Sequence, residues 1–391
     1  MKLPLTLAVK RASRLLLLSA FWIRGADAQD WLSFSGYVMD VPVYQRVNGT
    51  LARFFGSDRD QWLNVARVRL RPTASLWGNA RVALEYEITS LYHSAPLFFD
   101  IQTTRNKRQV VDLTWNPVNQ PKYSVIHFVD RLHLDQSLGF ADIVIGRQRI
   151  AWGTGRIWNP TDLFNPINPT SFAKIEKDGV DAVLTKLTFG DFTDLTLVYN
   201  PQEGWNTSNA GFRFRTNYAQ YDISIVGGHF DKRVVMGGDF AGNLFQAGLR
   251  GEGILSADRH NLSSSFAKYI LGIDYQFTSK LYGLMEYHFN GEGAKDKLAY
   301  DLLRLARGET INVGRDYLAL QASYLVHPLV NTMLSYMRNL DDKSQFVGLL
   351  VSCSVTDELA VALGGQLYVG DDFTEFWYYP GAVYVKADFY F

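Results

Sequence analysis

The 391-residue chain has a single cysteine, Cys353, only 12 prolines, and no apolar stretch long enough to cross a bilayer as a helix. One thiol excludes an internal disulfide, a haem-attachment pair and a zinc-cysteine cluster. It stands far from the N-terminus, so it is not a lipid anchor and reads as a small apolar residue on a strand. A membrane helix takes roughly 20 apolar residues, which excludes a helical membrane protein. There is also no excess of basic charge: 39 Lys and Arg face 39 Asp and Glu. No nucleic-acid partner is therefore expected. The phosphate-loop pattern and the His-Glu-x-x-His metal pattern are both missing, and no cofactor or metal is expected.

The N-terminus reads as an address. Lys2, Lys10, Arg11 and Arg14 form a basic region, Leu15 to Ile23 a short apolar core, and Ala26-Asp27-Ala28 a small-x-small cleavage pattern. This predicts a signal peptide over residues 1–28, a mature start at Gln29, and one domain over 29–391. Arg24 is atypical for such a segment. The predicted mature chain keeps 34 of the 39 basic and 38 of the 39 acidic residues, a formal charge of −4.

Aromatics are plentiful, and they are spread in alternation with polar residues along the chain. Tyr269, Leu271, Ile273, Tyr275 and Phe277 share one face, with Lys268, Asp274 and Gln276 on the other. Similar period-2 patterns run through Leu281–Asn290, Leu318–Val326 and Val347–Val355. Very short turns (Thr278-Ser279, His327-Pro328, Thr356-Asp357) alternate with longer polar loops such as 291–314 and 370–378. This is the sidedness of an all-β transmembrane antiparallel barrel, short turns in the periplasm and long loops outside. Strands are predicted near 31–46, 61–71, 79–92, 123–136, 142–151, 180–190, 192–200, 210–218, 220–230, 233–240, 243–252, 265–277, 280–290, 315–326, 329–340, 345–356, 358–369 and 380–391. Eighteen strands put both termini in the periplasm; sixteen is the other even count considered. A barrel of this size leaves a wet or loop-filled lumen.

The last strand places Val383, Val385, Ala387, Phe389 and Phe391 on one face and ends on an aromatic. It resembles the C-terminal signal read by the barrel-assembly machinery. The resemblance implies residence in the bacterial outer membrane, with lipid and that machinery as partners, and makes Phe389 and Phe391 the assembly residues.

Basic residues recur on the polar faces: Arg67, Arg69 and Arg71, then Arg81, Arg131, Arg213 and Arg215, followed by Arg250 and Lys268. Guanidinium groups in a lumen attract anions. Glu85, Glu87, Asp135, Asp194, Asp222, Asp274 and Glu286 can face the same way, so a neutralised wall is the competing expectation. Two features break the pattern. Asp130 falls on the lipid side of its strand. Ile143 and Ile145 share parity with Arg147 and Arg149, which predicts a bulge near Gly146.

The stretch 146–166 leaves a strand and enters a long segment with Asn-Pro pairs at 159, 165 and 168, which block strand pairing. Its Trp152, Trp158 and Phe164 are large for a mobile loop, which predicts a segment near 152–178 that folds inward, with Arg156 and Asp162 at a constriction. An ordered external loop is the alternative. Gly146-Arg147-Gln148 followed by Trp152-Gly153 resembles a motif of alginate-export-like and related porin families, over roughly residues 140–185. That resemblance implies passive passage of a polar or anionic solute, in some members an acidic polysaccharide, with Arg147, Arg149 and Arg156 carried over. Two other functions compete. A barrel sheath would enclose a periplasmic or multihaem partner. A barrel hydrolase would need a nucleophile beside His127, His133, His229 or His288, and no such signature is present.

Overall fold

The computed structural model describes residues 31–95, 108–164, 176–204, 207–258, 261–306 and 310–391. The signal segment and the Asn-Pro pairs at 165 and 168 lie outside them. Nineteen strands follow in chain order: β1 (Leu32–Arg46), β2 (Asp60–Ser75), β3 (Ala80–His93), β4 (Thr114–Gln120), β5 (Tyr123–Ser137), β6 (Ala141–Gln148), β7 (Val180–Thr188), β8 (Asp194–Asn200), β9 (Asn209–Tyr218), β10 (Tyr221–Phe230), β11 (Arg233–Leu244), β12 (Ala247–Asp258), β13 (Phe266–Gln276), β14 (Leu281–Asn290), β15 (Asp316–His327), β16 (Val330–Asn339), β17 (Gln345–Ser354), β18 (Leu359–Val369) and β19 (Gly381–Tyr390). Each wall strand pairs antiparallel with its neighbours, and β19 returns to β1. Closure leaves no unpaired edge in hydrocarbon, where an unsatisfied backbone group costs several kcal/mol. β4 lies along Tyr123–Phe128 of β5, whose other edge already pairs with β3, so the closed wall has eighteen strands.

Alternation sorts the side chains. Leu320, Leu334, Leu349, Leu363, Val383 and Val385 stand exposed on the outer face, while Tyr317, Met337, Phe346 and Tyr384 on the same strands are buried inside. The tight turns of the wall lie at one end, together with the start of β1 and the end of β19, except the turn at Asp231-Lys232, which joins β10 to β11 at the long-loop end. Trp77, Phe140, Phe189, Phe192, Phe245 and Phe277 stand exposed at or beside those turns, as an aromatic girdle requires at a membrane interface. The turns at Ala219-Gln220 and Asp231-Lys232 place two successive residues at positive φ, the geometry that suits two-residue hairpins.

Four expectations change. The strands expected at 233–240 and 243–252 run over 233–244 and 247–258, because the turn sits at Phe245, with φ +57°. Gly237, Gly238 and Gly242 resemble loop residues but lie within β11, where Gly242 sits under the ring of Tyr221. β4 was not expected. Asp130 does not face lipid: opposite Glu85 and Tyr86 the register of β5 slips, Asp130 becomes the extra residue of a bulge, and its side chain turns inward. The bulge expected near Gly146 is not a register shift. Arg147 stays opposite Leu132 and Asp181, and it is buried by another route described below.

The seam explains the weight placed on the chain end. Phe391 exchanges backbone bonds of 2.9 and 3.1 Å with Gly36, and its ring stacks on Phe34 at 6.0 Å. Phe389 pairs with Val38 and Leu359 on either side. Removing Phe389, Tyr390 and Phe391 is expected to abolish most assembled barrel, read as loss of heat-modifiable migration on gels. Unchanged migration would detach the terminal aromatics from assembly.

Candidate permeation site

On the inner face of the wall, strands β2, β3 and β5 carry a packed ion network. Arg69 is at its centre. Its guanidinium meets Glu85 at 2.6 Å and Glu87 at 2.9 Å, and also bonds Asp130. Arg67 pairs with Glu87 at 2.7 Å, and Arg131 with Glu85 at 2.8 Å and Glu176 at 3.0 Å. Arg71 also bonds Glu176. Glu85, Asp130 and Glu176 converge closely enough to suggest a metal site. Arg69 and Arg131 already lie against these carboxylates, so an approaching cation meets fixed positive charge.

The other basic positions are matched in the same way. Arg81 pairs with Asp135 at 2.7 Å, Arg215 with Asp194 at 2.7 Å, and Arg213 with Ser224 at 2.9 Å and Asp239 at 3.5 Å. Arg250 holds Asp274. Arg147 is in a different setting. It shares a side of the wall with Asp181, which it meets at 2.7 Å, and also bonds the carbonyls of Val129 and Val111. The amides of Val110 and Val111 bond Asp181 in turn. β6 ends one residue later, so this ion pair ties β5, β7 and the segment before β4 together where a wall strand departs.

That departing segment packs on the inner wall. Ile150, Trp152 and Phe164 join Val180, Ala182, Val198, Val226, Phe230, Val235 and Ile254 in one apolar cluster. Further along, Trp158 packs with Ile270, Tyr317, Met337, Phe346 and Phe376, and its ring stacks on His288 at 5.1 Å. Two wall carboxylates hold the backbone between these anchors. Glu252 of β12 accepts N–H bonds from Thr154 (2.6 Å), Gly155 (3.1 Å) and Thr161 (3.1 Å). Glu286 of β14 accepts from Arg156 (3.0 Å), Ile157 (3.2 Å) and Trp158 (2.7 Å). Successive N–H groups aimed at one point form an anion-binding nest. Gly153 has φ +98°, and a Cβ there would lie 2.7 Å from Glu252. At Gly155 a Cβ would strike the carbonyl of Trp158 at 1.9 Å. Gly153 thus serves the close approach of backbone to carboxylate, and Gly155 the tight fold of the segment against the Trp158 carbonyl.

The long-loop end closes over the same segment. Trp158 Nε1 donates to Asn312 at 2.9 Å. Glu375, in the one-turn helix Glu375–Tyr378, accepts from the Tyr317 hydroxyl at 2.6 Å and from Asn339 at 2.8 Å. Burial pushes the Glu375 carboxyl up to about 7. Asp162 is buried against Lys177. Arg149 and Arg156, by contrast, have exposed side chains, and neither has a carboxylate partner among the described residues.

Of the residues singled out from sequence, the structure gathers Arg67, Arg69, Arg71 and Arg131 into one network. It places Arg81, Arg213 and Arg215 in separate pairs and puts Trp152, Arg156, Trp158, Asp162 and Phe164 on the inward segment. Sequence reasoning missed Glu252 and Asp239, which stand on the two strands whose boundaries were misplaced. It listed Glu286 only as a lumen charge.

No protein-family model matches the chain, and no curated protein matches it in sequence. Solved structures match it in fold. Acinetobacter baumannii OccAB1 aligns over 94% of this chain and 98% of its own, at 10% identity and TM-score 0.58. A triple mutant of Rhodopseudomonas blastica porin covers 92% of this chain and 100% of its own, at 10% identity and TM-score 0.47. The fold is that of a porin-like outer-membrane β-barrel, an eighteen-stranded antiparallel wall with an apolar exterior.

Proposed function

We propose that this protein is an outer-membrane channel for passive passage of small polar solutes with a weak preference for anions, an acidic saccharide being one candidate. The pairing of the wall charges carries this reading. Each wall arginine described above faces carboxylates, so the wall contributes little net field. The Arg149 and Arg156 side chains, on the segment that enters the lumen, have no carboxylate partner among the described residues. Unmatched guanidinium groups at a narrowing act on a permeating ion at short range, where screening by salt is weakest. Guanidinium also suits bidentate contact with a carboxylate better than lysine does. The start of β1 and the end of β19 lie at the end with most of the tight turns, which we assign to the periplasm on the general sidedness of such barrels.

A sheath around a partner protein fits less well, because the residue 150–164 segment already occupies lumen along the inner faces of β7 to β17. Reversal potentials in a salt gradient test the selectivity. The wild-type channel should prefer anions, and the double variant Arg149→Gln/Arg156→Gln should lose most of that preference with little change in conductance. A cation-preferring wild type, unaltered by the double substitution, would sink the proposal.

A further inference from the structure

Six backbone N–H groups of the inward segment end on two wall carboxylates, against two further bonds, from Arg250 to the Thr154 carbonyl and from Trp158 Nε1 to Asn312. Each carboxylate offers about four lone-pair sites when ionised and fewer once protonated, when it also becomes a donor. A proton on Glu252 or Glu286 therefore removes acceptor capacity and charge from three N–H groups together. Charge-assisted bonds to backbone N–H are roughly twice as strong as neutral ones, so most of the polar hold on the segment depends on the two negative charges.

The neighbours do not supply a substitute. Asp239 on β11 and Lys177 on the returning segment stand near Glu252 with opposite signs. Arg250 on β12 stands near Glu286, while its own side chain bonds Asp274 and the carbonyl of Thr154. Lys177 and Arg250 are donors and cannot accept the freed N–H bonds, and Asp239 faces Arg213 and bonds none of the six N–H groups. The apolar anchors remain at both ends, Trp152 and Phe164 at one and Trp158 at the other, so release loosens the stretch around residues 153–157 between them while the wall stays closed.

We propose that Glu252 and Glu286 are positioning residues for the channel: ionised, they latch the inward segment across the lumen, and neutralised, they release it, so that the aperture widens in acid. This rests on the channel reading above. Neutral substitution mimics the proton, and the amide of glutamine additionally turns a donor toward donors.

The test is single-channel conductance of the full-length protein in planar bilayers, from about pH 8 to about pH 4, the interval over which carboxylates titrate in proteins. Wild type should show roughly a doubling or more of conductance on acidification. The Glu252→Gln/Glu286→Gln variant should start at the high level at neutral pH and stay flat. Glu286→Asp, which keeps the charge, should retain a pH response. A flat wild-type profile overturns the latch without any variant, as does a double variant that behaves like wild type. If a variant lacking residues 153–163 conducts more while the glutamine variant does not, the latch fails and the channel reading stands. If no form conducts, the channel reading itself fails.

Discussion

Replacing residues 153–163 by a short glycine-serine linker is expected to raise single-channel conductance about threefold while the barrel still assembles, because conductance follows the open cross-section that the segment occupies. The excision is clean for a geometric reason. The rings of Trp152 and Phe164 meet edge to face at 5.2 Å, so the cut ends are already neighbours. Both rings also contact Phe230 on the wall, at 6.3 and 5.2 Å, and stay in place without the intervening chain. The variant loses the bonds to Glu252 and Glu286, the Trp158 stack on His288 and the Trp158 bond to Asn312. None of these belongs to the wall's backbone ladder, so heat-modifiable migration should be retained. Conductance equal to wild type in a correctly assembled variant would put the segment outside the permeation path.

The second large effect is thermodynamic. Arg69→Leu is expected to destabilise the folded barrel by about 3–5 kcal/mol, the usual cost of breaking a buried ion cluster by removing one partner. Glu85, Glu87 and Asp130 would then lie close together with Arg67, Arg71 and Arg131 as the remaining counter-charges. Asp130 and Glu87 are nearly inaccessible to water, which makes them the most costly to leave unmatched. Urea unfolding of the refolded protein reads this as a lower midpoint. Adding Asp130→Asn to Arg69→Leu should recover part of the loss, because it removes one of the stranded charges. A midpoint unmoved by Arg69→Leu would mean that the network contributes no stability, and its arginines would then be available to the lumen.

The wall was legible in the sequence wherever one face meets lipid and the other does not, because alternation then records the direction of each side chain. That held for β13 to β19, where Leu, Val and Tyr alternate with small or polar residues. It failed at β11 and β12, where glycines inside the strands resembled a loop and the real turn carried Phe245, a residue with no turn signature. It failed again at Asp130, because a bulge shifts parity by one and leaves no local mark in composition. Arg147 broke parity for a third reason: the exterior side of the wall is covered there by chain from residues 108–113, so outward does not mean lipid-facing. Glu252 and Glu286 illustrate a further limit. Alternation gives the face a carboxylate points to, but not the backbone amides of a distant segment that will meet it. Their partners in sequence were the glycines at 153 and 155, required by close approach.

The central claim is that this closed wall encloses a water-filled path. The most direct measurement is the current carried by the purified wild-type protein, alone, in a planar bilayer at neutral pH. Discrete, reproducible steps that persist without any partner, with an anion-weighted reversal potential in a salt gradient, are the predicted result. A correctly folded barrel that inserts into the bilayer and leaves the current at its baseline would contradict the account.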